Sequence, residues 1–147
     1  MKKVCKVRAL LDVNVLIALL DQGHIHHQLA RNWLVAHASS GWASCPLTLN
    51  GCIRIMAQPS YPGSTSVMQI AQRLQQACQH PAHEFWPDDV NPLAGIDFER
   101  LLGHRQLTDA YLLALAVHHG GRPWPQRAQA ALPARQGAGR LQQHQRH

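Results

Sequence analysis

Short apolar runs alternate with longer amphipathic patterns between residues 7 and 121, and this alternation limits the possible folds more than any other feature of the chain. Three apolar runs have the length of buried strands, at residues 7–11, 42–45 and 84–86. Apolar residues at helical spacing predict helices at 14–20, 24–39, 46–56, 67–78 and 107–117. Strands that alternate with helices in this way predict an α/β fold with a mostly parallel sheet.

The composition is that of a single globular domain. The chain has 147 residues, 46% of them hydrophobic, which is enough to bury a core. No apolar run approaches the roughly 20 residues that span a bilayer, and charges interrupt the first residues where a signal peptide would be apolar. The four cysteines match no zinc or redox spacing and are expected to be reduced and buried. We therefore expect a cytoplasmic protein without a membrane partner.

The basic character of the chain is concentrated in its last segment. Residues 122–147 contain five of the 14 Lys and Arg residues and none of the eight acids, although the whole chain carries a formal charge of +6. The segment also lacks Val, Ile, Phe, Tyr, Met and Cys, a composition typical of disorder. The sequence thus predicts a domain at 1–121 and a basic, low-complexity tail at 122–147 in place of a last strand. The abrupt change suggests translation in a shifted reading frame.

Two acids lie at the ends of apolar elements. Asp12 closes the first predicted strand, and in parallel sheets functional groups collect beyond the carboxyl ends of strands. Thr108 is predicted as the N-cap of the last helix, with Asp109 in its first turn, where the helix dipole favours a carboxylate.

Carboxylates held close together repel each other unless a cation neutralises them. Mg²⁺ prefers oxygen ligands, and such an ion can activate water and stabilise the charge of a reacting phosphodiester. The alternative is that Asp12 is an ordinary turn residue and Asp109 an ordinary helix-start acid.

Other polar clusters are predicted to have structural or surface roles. His24, His26 and His27 precede or open a helix without an acid or Cys at ligand spacing, and the pair at 118–119 is treated in the same way. Asp88–Asp89, between two prolines, is predicted to form a turn.

Four segments, in order, resemble a known family. Residues 11–17, Leu-Asp-Val-Asn-Val-Leu-Ile, are similar to the opening D-x-N-x-L-I motif of PIN-domain ribonucleases, specifically VapC-type toxins of type II toxin–antitoxin systems. Residues 42–48, 85–89 and 103–116 resemble later segments of the same toxins.

This resemblance implies a three-layer α/β/α domain that cleaves single-stranded RNA with Mg²⁺ or Mn²⁺. Asp12 and Asp109 match the first and third acids of the family and would be the catalytic, metal-binding residues, with Asn14 in support. The resemblance also implies a small antitoxin that covers the acidic cleft, and a homodimer.

The sequence departs from the family pattern at two places. Residues 46–51 contain no acid where the family often has one, which leaves Thr48 or Asn50 to offer a neutral oxygen. After Arg122 the chain reads Pro-Trp-Pro, where relatives usually continue through a strand that supplies another acid. The alternative to an active endoribonuclease is therefore a catalytically impaired remnant that still binds antitoxin.

Overall fold

The computed structural model describes residues 7–124 and contains four short strands and six helices. In chain order they are β1 Ala9–Leu10, α1 Val13–Leu20, α2 His27–Ala36, β2 Trp42–Ser44, α3 Pro46–Met56, α4 Val67–Cys78, β3 His83–Phe85, α5 Pro92–Gly95, α6 Leu107–His118 and β4 Arg122–Pro123. Two 3-10 turns, Phe98–Arg100 and His104–Gln106, connect α5 to α6. None of the helices in this range combines the length and apolar content needed to cross a membrane.

The strands form one sheet in the order β3-β2-β1-β4, and every pairing in it is parallel. Ala9 of β1 is paired with Trp42 on one side and with Arg122 on the other. Because the strands run in the same direction, all four end at one edge, here called the carboxyl edge.

Helices cover both faces of this sheet. One core joins the face that carries Leu11 to α1, α3 and α4, with α2 packed at its border. A second core joins the face that carries Leu10 to α6 through Leu115. Successive side chains of a strand point to opposite faces, so these two neighbouring leucines serve separate cores. The predicted three-layer α/β/α architecture is confirmed.

The end of α6 agrees with the sequence prediction, but its start does not. Gly120 has φ +70° and donates its N–H to Val117, while the N–H of Gly121 reaches the carbonyl of Ala116 at 2.8 Å. These two bonds form a Schellman cap, in which glycine tolerates the left-handed backbone. At the other end, the predicted N-cap role of Thr108 is wrong, because a 3-10 turn leads directly into α6 and places Gln106 at the cap.

The prediction that no strand follows α6 is also wrong. The N–H of Arg122 donates to the carbonyl of Arg8 at 2.9 Å, and that of Trp124 donates to Leu10 at 3.1 Å. The residue between them, Pro123, has no backbone N–H. At this position an N–H would point away from β1, and β4 lies at the edge of the described sheet, so no hydrogen bond of the sheet is lost. Residues 125–147 of the predicted tail lie outside the described residues, and the division into domain and tail stays a prediction.

The described cysteines are all free thiols. Cys45 and Cys52 are buried and Cys78 is partly buried, close to the expected arrangement, whereas Cys5 lies outside the described residues. Burial raises the pKa of Cys52 to about 12, which keeps this thiol protonated at neutral pH.

Candidate active site at the carboxyl edge

Asp12 lies where β1 ends and α1 begins. It is the N-cap of α1, and its Oδ1 accepts a hydrogen bond from the N–H of Val15 at 2.9 Å. Its side chain is buried, with 8% of the residue exposed. Packing and the cap bond therefore hold this carboxylate at the carboxyl edge of the sheet.

Asp109 reaches the same edge from the opposite helical layer. The Schellman turn connects the end of α6 to the start of β4, so α6 must begin near the edge where the strands end. Asp109 lies in the first turn of α6 and is exposed. The topology thus directs both acids, which are 97 positions apart in the chain, toward the same edge of the sheet, and their joint role in one site stays a prediction.

The residues expected to support the site lie on the helices around it. Asn14 is the second residue of α1 and is partly buried, and Thr108 is inside the first turn of α6. Asn50 is exposed on α3 beside Gly51, where an added Cβ would lie 2.8 Å from the Val13 side chain. At this point α3 therefore packs closely against the start of α1.

Thr48, the other candidate for a neutral oxygen, is engaged elsewhere. Its side chain is fully buried, and its hydroxyl donates to the carbonyl of Cys45 at 3.1 Å. The same oxygen accepts the N–H of Cys45 at 3.3 Å. Thr48 therefore serves the start of α3, and burial in this region also raises the pKa of the Cys45 thiol.

Asp88 is an acid at this edge that sequence reasoning assigned to a turn. Its Oδ2 accepts the N–H of Leu47 at 3.0 Å, so the carboxylate caps the first turn of α3. The pKa of Tyr111 on α6 is raised by burial first and then by the charge of Asp88. The position of Asp88 just beyond β3 was the signal available in the sequence, since carboxyl ends of parallel strands converge.

The neighbouring acid makes different contacts. Asp89 lies with His118 and His119 at the last turn of α6, the end of that helix opposite to Asp109. From the sequence, Asp89 was predicted to lie in a turn and the two histidines to have structural roles. Their proximity was not predicted because they come from segments about 30 positions apart.

Sequence comparison identifies the class of protein that has this fold, with Asp12 after β1 and Asp109 at the start of α6. The family model described as "PIN domain" matches residues 9–122, and the chain belongs to the PIN-domain family. The match stops where the composition of the chain changes.

Several ribonucleases of Mycobacterium tuberculosis are similar to most of this chain. Ribonuclease VapC44 is 50% identical over 118 residues, which cover 79% of this chain and 83% of that protein. Ribonuclease VapC39 is 43% identical over 118 residues, covering 78% and 84%, and ribonuclease VapC38 is 44% identical over 115 residues, covering 78% and 81%. The predicted resemblance to VapC-type PIN domains is confirmed.

Proposed function

We propose that this protein is a metal-dependent endoribonuclease that cleaves single-stranded RNA as the toxin of a toxin–antitoxin pair. The observation that supports the proposal is that, in a PIN fold, Asp12 caps α1 just beyond β1 and Asp109 lies in the first turn of α6, the helix that leads into β4. The ribonuclease names of its VapC relatives support the reaction class.

The residues at this edge fit a hard divalent cation. Carboxylate oxygens are the ligands that Mg²⁺ and Mn²⁺ prefer, and Mg²⁺ is often held by only one or two protein carboxylates. Asp12 and Asp109 would hold the ion, with the carbonyl oxygen of the Asn14 or Asn50 amide nearby. When bound, such an ion supplies activation of water and neutralisation of phosphodiester charge.

The protein itself contributes position and charge. The hydrogen bond from the Val15 N–H fixes one carboxylate oxygen of Asp12, whose side chain is buried. Asp109 stands at a helix N-terminus, where the aligned peptide dipoles favour a negative charge. Because Asp109 is exposed, the site is open to a strand of RNA, whose own phosphates can complete the coordination of the ion.

The test is cleavage of single-stranded RNA by wild type, Asp12→Asn and Asp109→Asn, with Mg²⁺, with Mn²⁺ and with EDTA. Each substitution keeps the shape of the side chain and removes its charge. We expect a loss of about 100-fold or more in rate for each, as for other groups that stabilise charge in a transition state. EDTA should abolish cleavage by wild type.

A matched control is Asp21→Asn, at the other end of α1. Asp21 accepts a hydrogen bond from the Tyr61 hydroxyl at 2.5 Å, which an amide oxygen can still accept. This variant should cleave like wild type.

Cleavage that survives both active-site substitutions or ignores EDTA would refute the site. A wild type that binds antitoxin tightly but cleaves no RNA would favour the impaired remnant, because residues 46–51 lack an acid.

We also propose a small antitoxin as partner, a homodimer and a cytoplasmic location. The surface is compatible with protein partners, since Leu113 and Val117 on α6 are 49% and 66% exposed and Leu93 on α5 is 82% exposed. Co-expression with the product of an adjacent small gene, followed by light scattering of the purified material, tests both interactions. A monomer that retains no such product would refute them.

A further inference from the structure

We propose that Asp89, His118 and His119 form a second metal site, selective for Zn²⁺ and similar borderline transition cations. This site is separate from the carboxyl edge and does not depend on the proposed ribonuclease activity. Each of the three residues offers one ligand atom, and these atoms lie within 4.8 Å of one another.

The distances from the two imidazoles to the Asp89 carboxylate are close to the separation of neighbouring ligands around a zinc ion. The Nε2 of His119 lies 2.8 Å from Oδ1 of Asp89, and the Nε2 of His118 lies 3.6 Å from Oδ2 of the same residue. Zn–N and Zn–O bonds of about 2.0–2.1 Å at tetrahedral angles separate neighbouring ligands by about 3.3 Å. The two observed distances, one to each oxygen of the Asp89 carboxylate, bracket this value, and side-chain rotation can bring the three ligand atoms, which lie within 4.8 Å of one another, around one ion.

Packing holds one of the histidines in position before any ion binds. The ring of His119 is stacked on Trp86, with centroids 5.1 Å apart and an interplanar angle of 11°. Trp86 in turn donates from Nε1 to Glu84 at 2.9 Å, and Glu84 forms an ion pair with Arg8 at 2.9 Å. A pre-oriented imidazole reduces the ordering entropy that metal binding must overcome, and outer contacts of this kind tune metal affinity.

The other two ligands are accessible to an ion from solvent. The side chain of His118 is 54% exposed and that of Asp89 is 42% exposed, whereas that of His119 is 18% exposed. Three protein ligands on the inner side leave an outer position for water, the arrangement of open zinc sites.

The donor set distinguishes this site from the carboxyl edge. Two imidazoles and one carboxylate suit Zn²⁺, Co²⁺ and Ni²⁺, whereas Mg²⁺ prefers oxygen alone. The separation of nine positions between Asp109 and His118 corresponds to about 14 Å along the helix axis, so the two sites lie at opposite ends of α6. An ion here would join the segment after β3 to the end of α6.

The test is calorimetric titration of Zn²⁺ into the full chain, previously freed of metal and kept in excess Mg²⁺ to occupy the carboxyl edge. We expect one strong Zn²⁺ per chain. His118→Ala and Asp89→Asn should each weaken binding by at least about tenfold, because even loss of an outer contact to a metal ligand costs 10–100-fold. Both side chains are about half exposed, and circular dichroism checks that the variants fold.

The matched control is the double variant His24→Ala/His26→Ala, which removes two other neighbouring imidazoles whose rings lie 5.8 Å apart. It should keep the wild-type affinity. Zn²⁺ should also raise the melting temperature of wild type and of this control, but not of His118→Ala. The visible absorption spectrum of bound Co²⁺ gives an independent readout. Strong absorption bands, typical of Co²⁺ with a low coordination number, support the site if wild type shows them and Asp89→Asn does not. Unchanged Zn²⁺ affinity in His118→Ala, or equal loss in the control, overturns it.

Discussion

Replacement of Trp124 by alanine is expected to destabilise the domain strongly, although this residue lies beyond the predicted domain boundary. Trp124 follows β4, is 1% exposed and belongs to the core that also contains Leu11. Its ring packs on Trp33 of α2, with centroids 4.0 Å apart. The indole therefore connects the last described strand to the helical layer on that face.

The magnitude follows from the buried area. A tryptophan side chain buries about 150–250 Å², which at about 25 cal/mol per Å² corresponds to about 4–6 kcal/mol. Within residues 7–124 the Nε1–H of Trp124 is buried without a hydrogen-bond partner, a cost of about 1–3 kcal/mol that alanine removes. The net loss in free energy of unfolding is then about 3 kcal/mol, at the lower end of the range for Trp→Ala in cores.

Urea denaturation followed by circular dichroism measures this loss. With a slope of about 2 kcal/mol per molar, Trp124→Ala should lower the midpoint by about 1.5 M urea. Trp124→Phe keeps an aromatic ring and removes the unpartnered N–H, so its midpoint should lie much nearer to that of wild type. Leu102→Ala, at a residue 91% exposed, controls for loss of apolar surface that is not in the core.

An equal midpoint for Trp124→Ala and Leu102→Ala would refute the reasoning. It would mean that the indole is not part of the core and that the domain ends before β4, as the composition alone suggests. A large loss in Trp124→Phe as well would point to a specific role of the indole N–H instead.

Three further predictions concern packing and titration. Gly121→Ala should cost about 1–3 kcal/mol in urea denaturation, because the new Cβ would clash with the Trp86 ring and lie 2.8 Å from the carbonyl oxygen of Arg8; an unchanged midpoint would contradict this close packing. The pKa of His83 is lowered from 6.5, chiefly by burial, so the folded state binds this proton less readily than the unfolded state. Stability should be retained above pH 6.5 and decline below it, with a smaller decline in His83→Gln; parallel pH profiles would refute this. In native protein at pH 8, Cys52 should react with iodoacetamide more slowly than the partly buried Cys78, measured by peptide mapping, and equal rates would contradict the burial.

Sequence pattern predicted the fold class and most of the elements because their signals are local. The apolar run that ends at Asp12, the proline that opens α3 and the glycines that end α6 each act through neighbours in the chain. Thr108 was misassigned as a cap for the same reason, since a good capping residue is only a local preference, and the preceding 3-10 turn moves the N-cap of α6 two residues earlier, to Gln106.

The two acids of the candidate site were within reach of sequence reasoning because parallel topology brings strand ends and helix starts to one edge. Asp88 offered the same signal just beyond β3 but was assigned to a turn, because its contact with Leu47 joins segments 41 positions apart and no local pattern shows it. The cluster of Asp89 with His118 and His119 was missed for the same reason, since a composition or spacing pattern carries no information on such pairings.

The alternation of apolar runs and amphipathic helices by itself determined the α/β class, and motif order determined the family, since both depend on short-range pattern. Only the tertiary structure decided that the chain continues into the sheet after Gly121. The two residues of β4, between Gly121 and the buried Trp124, are too few for intrinsic strand propensity to determine their conformation. They form β4 because β1 offers unpaired backbone groups and the core has a space for the indole of Trp124.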